Sequence, residues 1–146
     1  MKSNIQGVLI TDLKQISHEK GDIYHGIKKS ELSFKGFGES YFSFINYNEI
    51  KAWKRHFEMV CNLVVPVGEV EFILYDQRES SSTKGEIMKI ILGINNYKRI
   101  TIPPGVWYGF KGLSQGENLL HNLASIEHNS NEQENVPLNT FNNLVW

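Results

Sequence analysis

The chain has 146 residues and one cysteine, Cys61, so no intrachain disulfide can staple it and a reducing compartment, the cytoplasm, is its expected home. It has no charge surplus. Fifteen Lys and Arg against sixteen Asp and Glu leave a formal net charge of −1, which excludes the broad basic surface of a general nucleic-acid binder. It also lacks any long apolar run. No segment approaches the roughly 20 residues that span a bilayer, and the start "MKSNIQGVLITDL" is too short in apolar residues for a signal peptide. No GxSxG, P-loop or strand-borne GxGxxG is present, which removes the commonest nucleophile and phosphate-cradle chemistries. No His-x-His pair puts two imidazoles on one strand face, and His56 with Glu58 makes at most half a metal shell. No bound metal is expected.

A sustained 3.6-residue period is missing as well. What the chain has instead is short runs of β-branched and aromatic residues broken by Gly, Pro, Asn and Ser. These predict strands near Gly7–Thr11, Tyr41–Asn46, Val60–Val67, Val70–Asp76, Ile87–Leu92, Arg99–Ile102, Val106–Lys111 and Leu119–Ile126. "PVGEV" reads as a tight turn with Gly68 at positive φ, and "IPPGVW" as a break at Gly105, because two prolines cannot donate to a ladder. A short helix is expected around Asn48–Trp53, and an exposed loop over Gln77–Gly85. Eight short strands at this spacing predict a single all-β domain over Met1 to Trp146, a sandwich or barrel. The polar tail from His128 ends in Trp146, a ring large enough to dock the tail back on the body.

Chemistry concentrates in "IKAWKRHFEM", where Lys51, Lys54 and Arg55 surround Trp53 and His56. Two readings of His56 stand: a surface histidine beside two cations, or a general base at a cavity mouth. A neutral imidazole titrates near physiological pH, and neighbouring cations help keep it unprotonated. His121 interrupts the leucine-rich "NLLHNLASIEH" and reads first as a satisfied core residue. Cys61, within "MVCNLVV", reads as a buried thiol, and Glu69 and Glu71 as a solvated strand face.

In order along the chain, "KGDIYHGI", "WKRHFE", "GEVEFILYDQR", "SSSTKG", "IPPGVWYGF" and "LSQGENLLHN" resemble the motifs of the dTDP-4-dehydrorhamnose 3,5-epimerases, RmlC-like cupins of nucleotide-sugar metabolism. The resemblance runs from about Gly21 to Ile126. It implies a cupin or jelly-roll barrel, no cofactor, and a homodimer paired through the N-terminal strand. It implies proton removal beside the ketone of a dTDP-4-keto-6-deoxyhexose, in surface-polysaccharide synthesis such as that of lipopolysaccharide O-antigen. His56 matches the family's base, Asp76 and Arg78 its strand-end Asp and Arg, and Tyr108 stands where the family has a second histidine. A gapless count puts the family's acid tyrosine at His121. Trp53 replaces a site arginine, with Lys51, Lys54 and Arg55 left to meet pyrophosphate. The family's strand lysine falls at Cys61 or Asn62. Its base-orienting aspartate comes from a tail that here suggests only asparagines such as Asn139 and Asn142. Three activities are compatible with this pattern: an epimerase, a 3,4-ketoisomerase on the same substrate, and a non-catalytic nucleotide-sugar-binding cupin. All three take a small nucleotide-sugar ligand and require neither nucleic acid nor membrane.

Overall fold

The computed structural model describes residues 3–146. Its strands in chain order are β1 (Leu9–Asp12), β2 (Gln15–Ile16), β3 (Ile23–Tyr24), β4 (Glu39–Phe44), β5 (Ile50–His56), β6 (Cys61–Val67), β7 (Glu69–Asp76), β8 (Ile87–Gly93), β9 (Lys98–Ile102), β10 (Val106–Gly112), β11 (Leu119–Ala124) and β12 (Gln133–Asn135). Two five-stranded antiparallel sheets face each other, ordered β1-β9-β6-β11-β4 and β12-β5-β10-β7-β8, with β2 and β3 as a separate pair. This is the expected all-β cupin barrel. Among the described residues no helix is long and apolar enough to cross a membrane.

The eight expected strands are present to within a few residues. The expected helix at Asn48–Trp53 is corrected: Ile50–His56 is β5, paired on one side with β10 and on the other with β12. Its three cations, Lys51, Lys54 and Arg55, are interspersed with buried Trp53 and His56, which reads as a polar connection when only the cations are counted. Gly68 turns β6 into β7 at φ +77°, and a Cβ there would meet the Glu117 carbonyl oxygen at 2.3 Å, so only glycine fits. Gly105, at φ +85°, donates its N–H to the His56 carbonyl at 2.7 Å and so ties the "IPPG" turn to the end of β5.

The main core fills the space between the sheets: Cys61, Leu63 and Val65 of β6 meet Val70, Phe72 and Leu74 of β7, with Ile100, Val106, Tyr108 and Leu120 around them. A second apolar cluster lies on the outer face of the other sheet. There Trp53, Ile73 and Trp107 are covered by Phe141, Leu144 and Trp146 of the tail. The tail therefore docks, and the continuous apolar run "FILY" has both its faces covered by protein.

Candidate active site

Alternation along β5 decides which of its residues face the barrel. Tyr108 pairs with Lys54 and Phe110 with Lys51, and the one-residue shift between these pairs is a β-bulge. Tyr108 belongs to the inner core, so Lys54 and, two residues on, His56 share its face, while Trp53 and Arg55 turn outward. A cavity of about 410 Å³ lies between the sheets, of a size ordinary for small-molecule sites. Tyr41, Ser43, Leu63 and Leu120 contribute from one sheet, and Lys51, Lys54, Tyr108 and Phe110 from the other. Ala52 and Trp53 of β5 and Asn135 of β12 complete the wall.

His56 is not itself among the residues that line the cavity; it is 5% exposed and adjoins the cavity through Tyr108, on whose ring it stacks at 6.3 Å between centroids. Its Nδ1–H donates to Glu132 Oε1 at 2.5 Å. Glu132, 7% exposed, also accepts from the Met59 and Glu58 N–H groups at 3.2 and 3.3 Å. Burial holds the imidazole below its ordinary pKa. The Glu132 hydrogen bond and charge pull the other way without overcoming it, and the Lys54 charge adds to the lowering. Burial also raises the Glu132 carboxyl, but the bonds from His56, Met59 and Glu58 outweigh it and keep the group ionised. With the proton on Nδ1 and accepted by a carboxylate, Nε2 carries a free lone pair. That atom is buried and has no hydrogen-bond partner among the described residues. A buried unsatisfied acceptor costs about 1–3 kcal/mol, so such an atom calls for a functional account. The geometry is that of a general base.

Glu132 corrects the expectation that the tail offers only asparagines. The dyad carboxylate is present, 76 residues beyond the histidine it orients. The one sequence signal for it is an acidic residue in the tail's "NEQEN", and nothing local distinguishes it from Glu134. Asn139 lies in a short turn, Leu138–Thr140, and Asn142 is exposed.

Several expected site residues lie elsewhere. His121 pairs with Val64 on the outward face of β11, while Leu120 and Asn122 point in. Its Nε2 meets Ser40 Oγ at 2.6 Å and its ring lies 4.9 Å from that of exposed Phe42. β11 alternates regularly, so Leu119, His121 and Leu123 share its outward face, and a gapless count along the chain does not say which face a position takes. Asp76 is fully buried and saturated: Arg78 Nε, Ser81 Oγ and Thr83 Oγ1 donate to it at 2.9, 2.6 and 2.7 Å. Burial alone would raise this carboxyl, but those donors hold it well below the usual carboxylate range. It organises the loop after β7 and has no lone pair left for a substrate. Arg78 is committed to Asp76 and to the Gln6 carbonyl, at 2.6 Å. Arg55 lies over the Trp107 ring at 4.8 Å on the outer face and pairs with Glu134 at 2.5 Å. Trp53, 1% exposed, borders the cavity, but its ring stacks on Trp146 at 5.5 Å and donates Nε1–H to the Leu138 carbonyl at 3.0 Å, so it is held chiefly by the tail. Lys51 lines the cavity and reaches the Phe44 carbonyl at 2.7 Å across the gap between the sheets. Cys61 is buried and its thiol is pushed up to about 11 by burial, as expected of an inert side chain.

No protein-family model matches the chain. A crystal structure of a dTDP sugar isomerase from Desulfovibrio desulfuricans superposes with a TM-score of 0.91 at 38% identity, covering 94% of this chain and 88% of that one. The probable low-salt glycan biosynthesis epimerase of Haloferax volcanii is 29% identical over 138 residues, 92% of this chain and 88% of its own. A spore coat polysaccharide biosynthesis protein of Bacillus subtilis is 27% identical over 130 residues, 89% of this chain and 86% of its own. With the barrel and a relative this similar along nearly its whole length, the chain belongs to the RmlC-like dTDP-sugar epimerase and isomerase family.

Proposed function

We propose that this protein is a nucleotide-sugar epimerase acting next to the ketone of a dTDP-4-keto-6-deoxyhexose, in the synthesis of a surface polysaccharide. The observation that carries the reading is the His56–Glu132 dyad, with a buried, unpartnered Nε2 on a ring that stacks on Tyr108 of a cavity lined by two lysines. A ketone makes the neighbouring C–H acidic, and the remaining barrier falls when a placed base takes that proton and a cation receives the charge that develops on oxygen. His56 Nε2 is the base. Glu132 holds its tautomer and stabilises the imidazolium that forms. Lys54, inward on the same strand and near enough to influence His56, is the cation for the enolate oxygen. Lys51, at the cavity wall, is placed for the pyrophosphate. A binding-only protein has no use for an ionised carboxylate aimed at a buried histidine, so the dyad favours an enzyme over that alternative.

The test is to incubate the protein with dTDP-4-keto-6-deoxyglucose in deuterated water and follow the C3 and C5 signals by NMR. Deuterium at one or both carbons with an inverted product is the expected result. A 3-keto product with a shifted carbonyl carbon would transfer the protein to the 3,4-ketoisomerases. Binding without exchange or a new ketone would make it a non-catalytic cupin.

The reading extends to a cytoplasmic homodimer. Among the described residues β1 pairs only with β9 and ends its sheet, so its other edge is available to a second copy. A monomer mass by light scattering at micromolar protein refutes the dimer.

A further inference from the structure

Inverting a carbon centre takes two groups. The base removes a proton from one face, and an acid must return one to the other. With His121 turned outward, the acid must come from the cavity wall that faces β5, the strand that carries His56. Tyr41 of β4 meets that requirement. It lines the cavity from the sheet that faces β5, on the inward side of a strand whose neighbours Ser40 and Phe42 point to solvent.

Its hydroxyl is held by a chain of polar groups whose direction is determined. Asn122, paired with Tyr41 across β11 and β4, is fully buried. Its Oδ1 accepts the Asn62 backbone N–H at 3.1 Å, so its amide orientation is not free. Nδ2 must therefore face Tyr41, and it donates to the phenol oxygen at 3.0 Å. A phenol oxygen that accepts from an amide keeps its own O–H to donate elsewhere, and the amide then stabilises the phenolate once the proton has gone. Burial holds the Tyr41 phenol above its ordinary value despite the Asn122 bond, so it is protonated at neutral pH. Tyr108 is the other cavity-lining phenol, but it stacks on His56 with the rings 25° from parallel and shares the base's side.

We propose that Tyr41 is the catalytic acid, delivering its hydroxyl proton to the sugar carbon from the face opposite His56, with Asn122 as its positioning residue. This rests on the epimerase reading above. His56 Nε2 takes the proton, the C–H electron pair becomes the enolate double bond, and the ketone oxygen takes up the negative charge. The enolate carbon then takes the Tyr41 proton while the C=O re-forms. His56 is left as imidazolium and Tyr41 as phenolate. Proton exchange with water at the cavity mouth restores both.

The experiment measures inversion and exchange in one sample, so their ratio does not depend on how much protein folds. In deuterated water with dTDP-4-keto-6-deoxyglucose, Tyr41→Phe is expected to keep incorporating deuterium with retained configuration. His56 removes the proton and returns a deuteron on the same face. Inversion relative to exchange should fall about 100-fold or more, the usual scale for losing a general acid. Asn122→Asp is expected to lower inversion relative to exchange as well, because a second anion beside the phenol opposes phenolate formation. His121→Phe should leave the ratio unchanged. Tyr41→Phe that inverts as often per exchange event as wild type overturns the assignment alone. Wild-type protein that leaves the ketosugar unlabelled overturns the epimerase reading and the assignment with it.

Discussion

Glu132→Gln protein is expected to be nearly as inactive as His56→Ala, although it differs from wild type by one carboxylate oxygen. The Glu132 carboxylate accepts from His56 Nδ1–H with one oxygen and from the Met59 and Glu58 N–H groups with the other. A glutamine has one oxygen and one NH₂ with which to replace them. If the oxygen stays with the backbone N–H groups, the NH₂ faces Nδ1 and drives the imidazole proton to Nε2. The nitrogen that should take the substrate proton then already carries one. If the amide flips, its NH₂ meets two backbone donors. Either arrangement removes the base or strains its support. We expect deuterium exchange into the ketosugar to fall by about 10²–10⁴, the range for losing general-base catalysis. Glu134→Gln, whose carboxylate pairs with Arg55 on the outer face, is the matched control and should change little. The pH profile supplies a second sign. Burial lowers the His56 pKa, so the base form persists to more acidic pH than a free imidazole, whose value is about 6.5. The acid limb of kcat/KM should therefore lie below about pH 6.5. An acid limb above that, or Glu132→Gln at near wild-type rate, would remove the dyad from the mechanism.

Trp53→Ala should damage stability far more than ligand binding. The indole is 1% exposed, stacked on Trp146 and edge-on to Phe141 at 5.7 Å, and its Nε1–H is satisfied by the Leu138 carbonyl. Removing it opens a cavity beneath the tail and strands that carbonyl. A buried Trp→Ala change costs about 3–5 kcal/mol. For a chain of this size each kcal/mol moves Tm by about 2–4 °C, so a fall of roughly 6–20 °C is expected in thermal unfolding. Phe141→Ala should act in the same direction, because that ring also packs on Tyr75 and Trp107. Affinity for a dTDP-sugar, measured by calorimetry well below the lowered Tm, should change by less than a factor of about 3 (0.6 kcal/mol) if the ring serves the fold. An unchanged Tm with tenfold weaker binding would return Trp53 to the ligand.

The local pattern of the sequence determined the strands, because alternation and turn chemistry act over a few residues. The period-2 runs, Gly68 and the "IPPG" break placed eight strands without tertiary information. The same locality made Cys61 readable as a buried thiol, but for His56 it left a surface histidine and a general base both open, and only the resemblance of "WKRHFE" to the family motif singled out the base. β5 was misread at its start because only one of its faces is apolar, and that face is covered by a tail some 80 residues downstream. Closure of the barrel decided the rest. Glu132 becomes the dyad partner, where Glu134 does not, because β12 docks antiparallel on β5 with Gln133 opposite His56. His121 faces outward and Asn122 inward because β11 alternates without interruption and it is Leu120 that meets the core. Trp53 and Arg55 serve the outer cluster because the bulge between β5 and β10 sets which side each presents. Sequence patterning specifies that a strand has two faces. Only the assembled sheets specify which one meets the substrate.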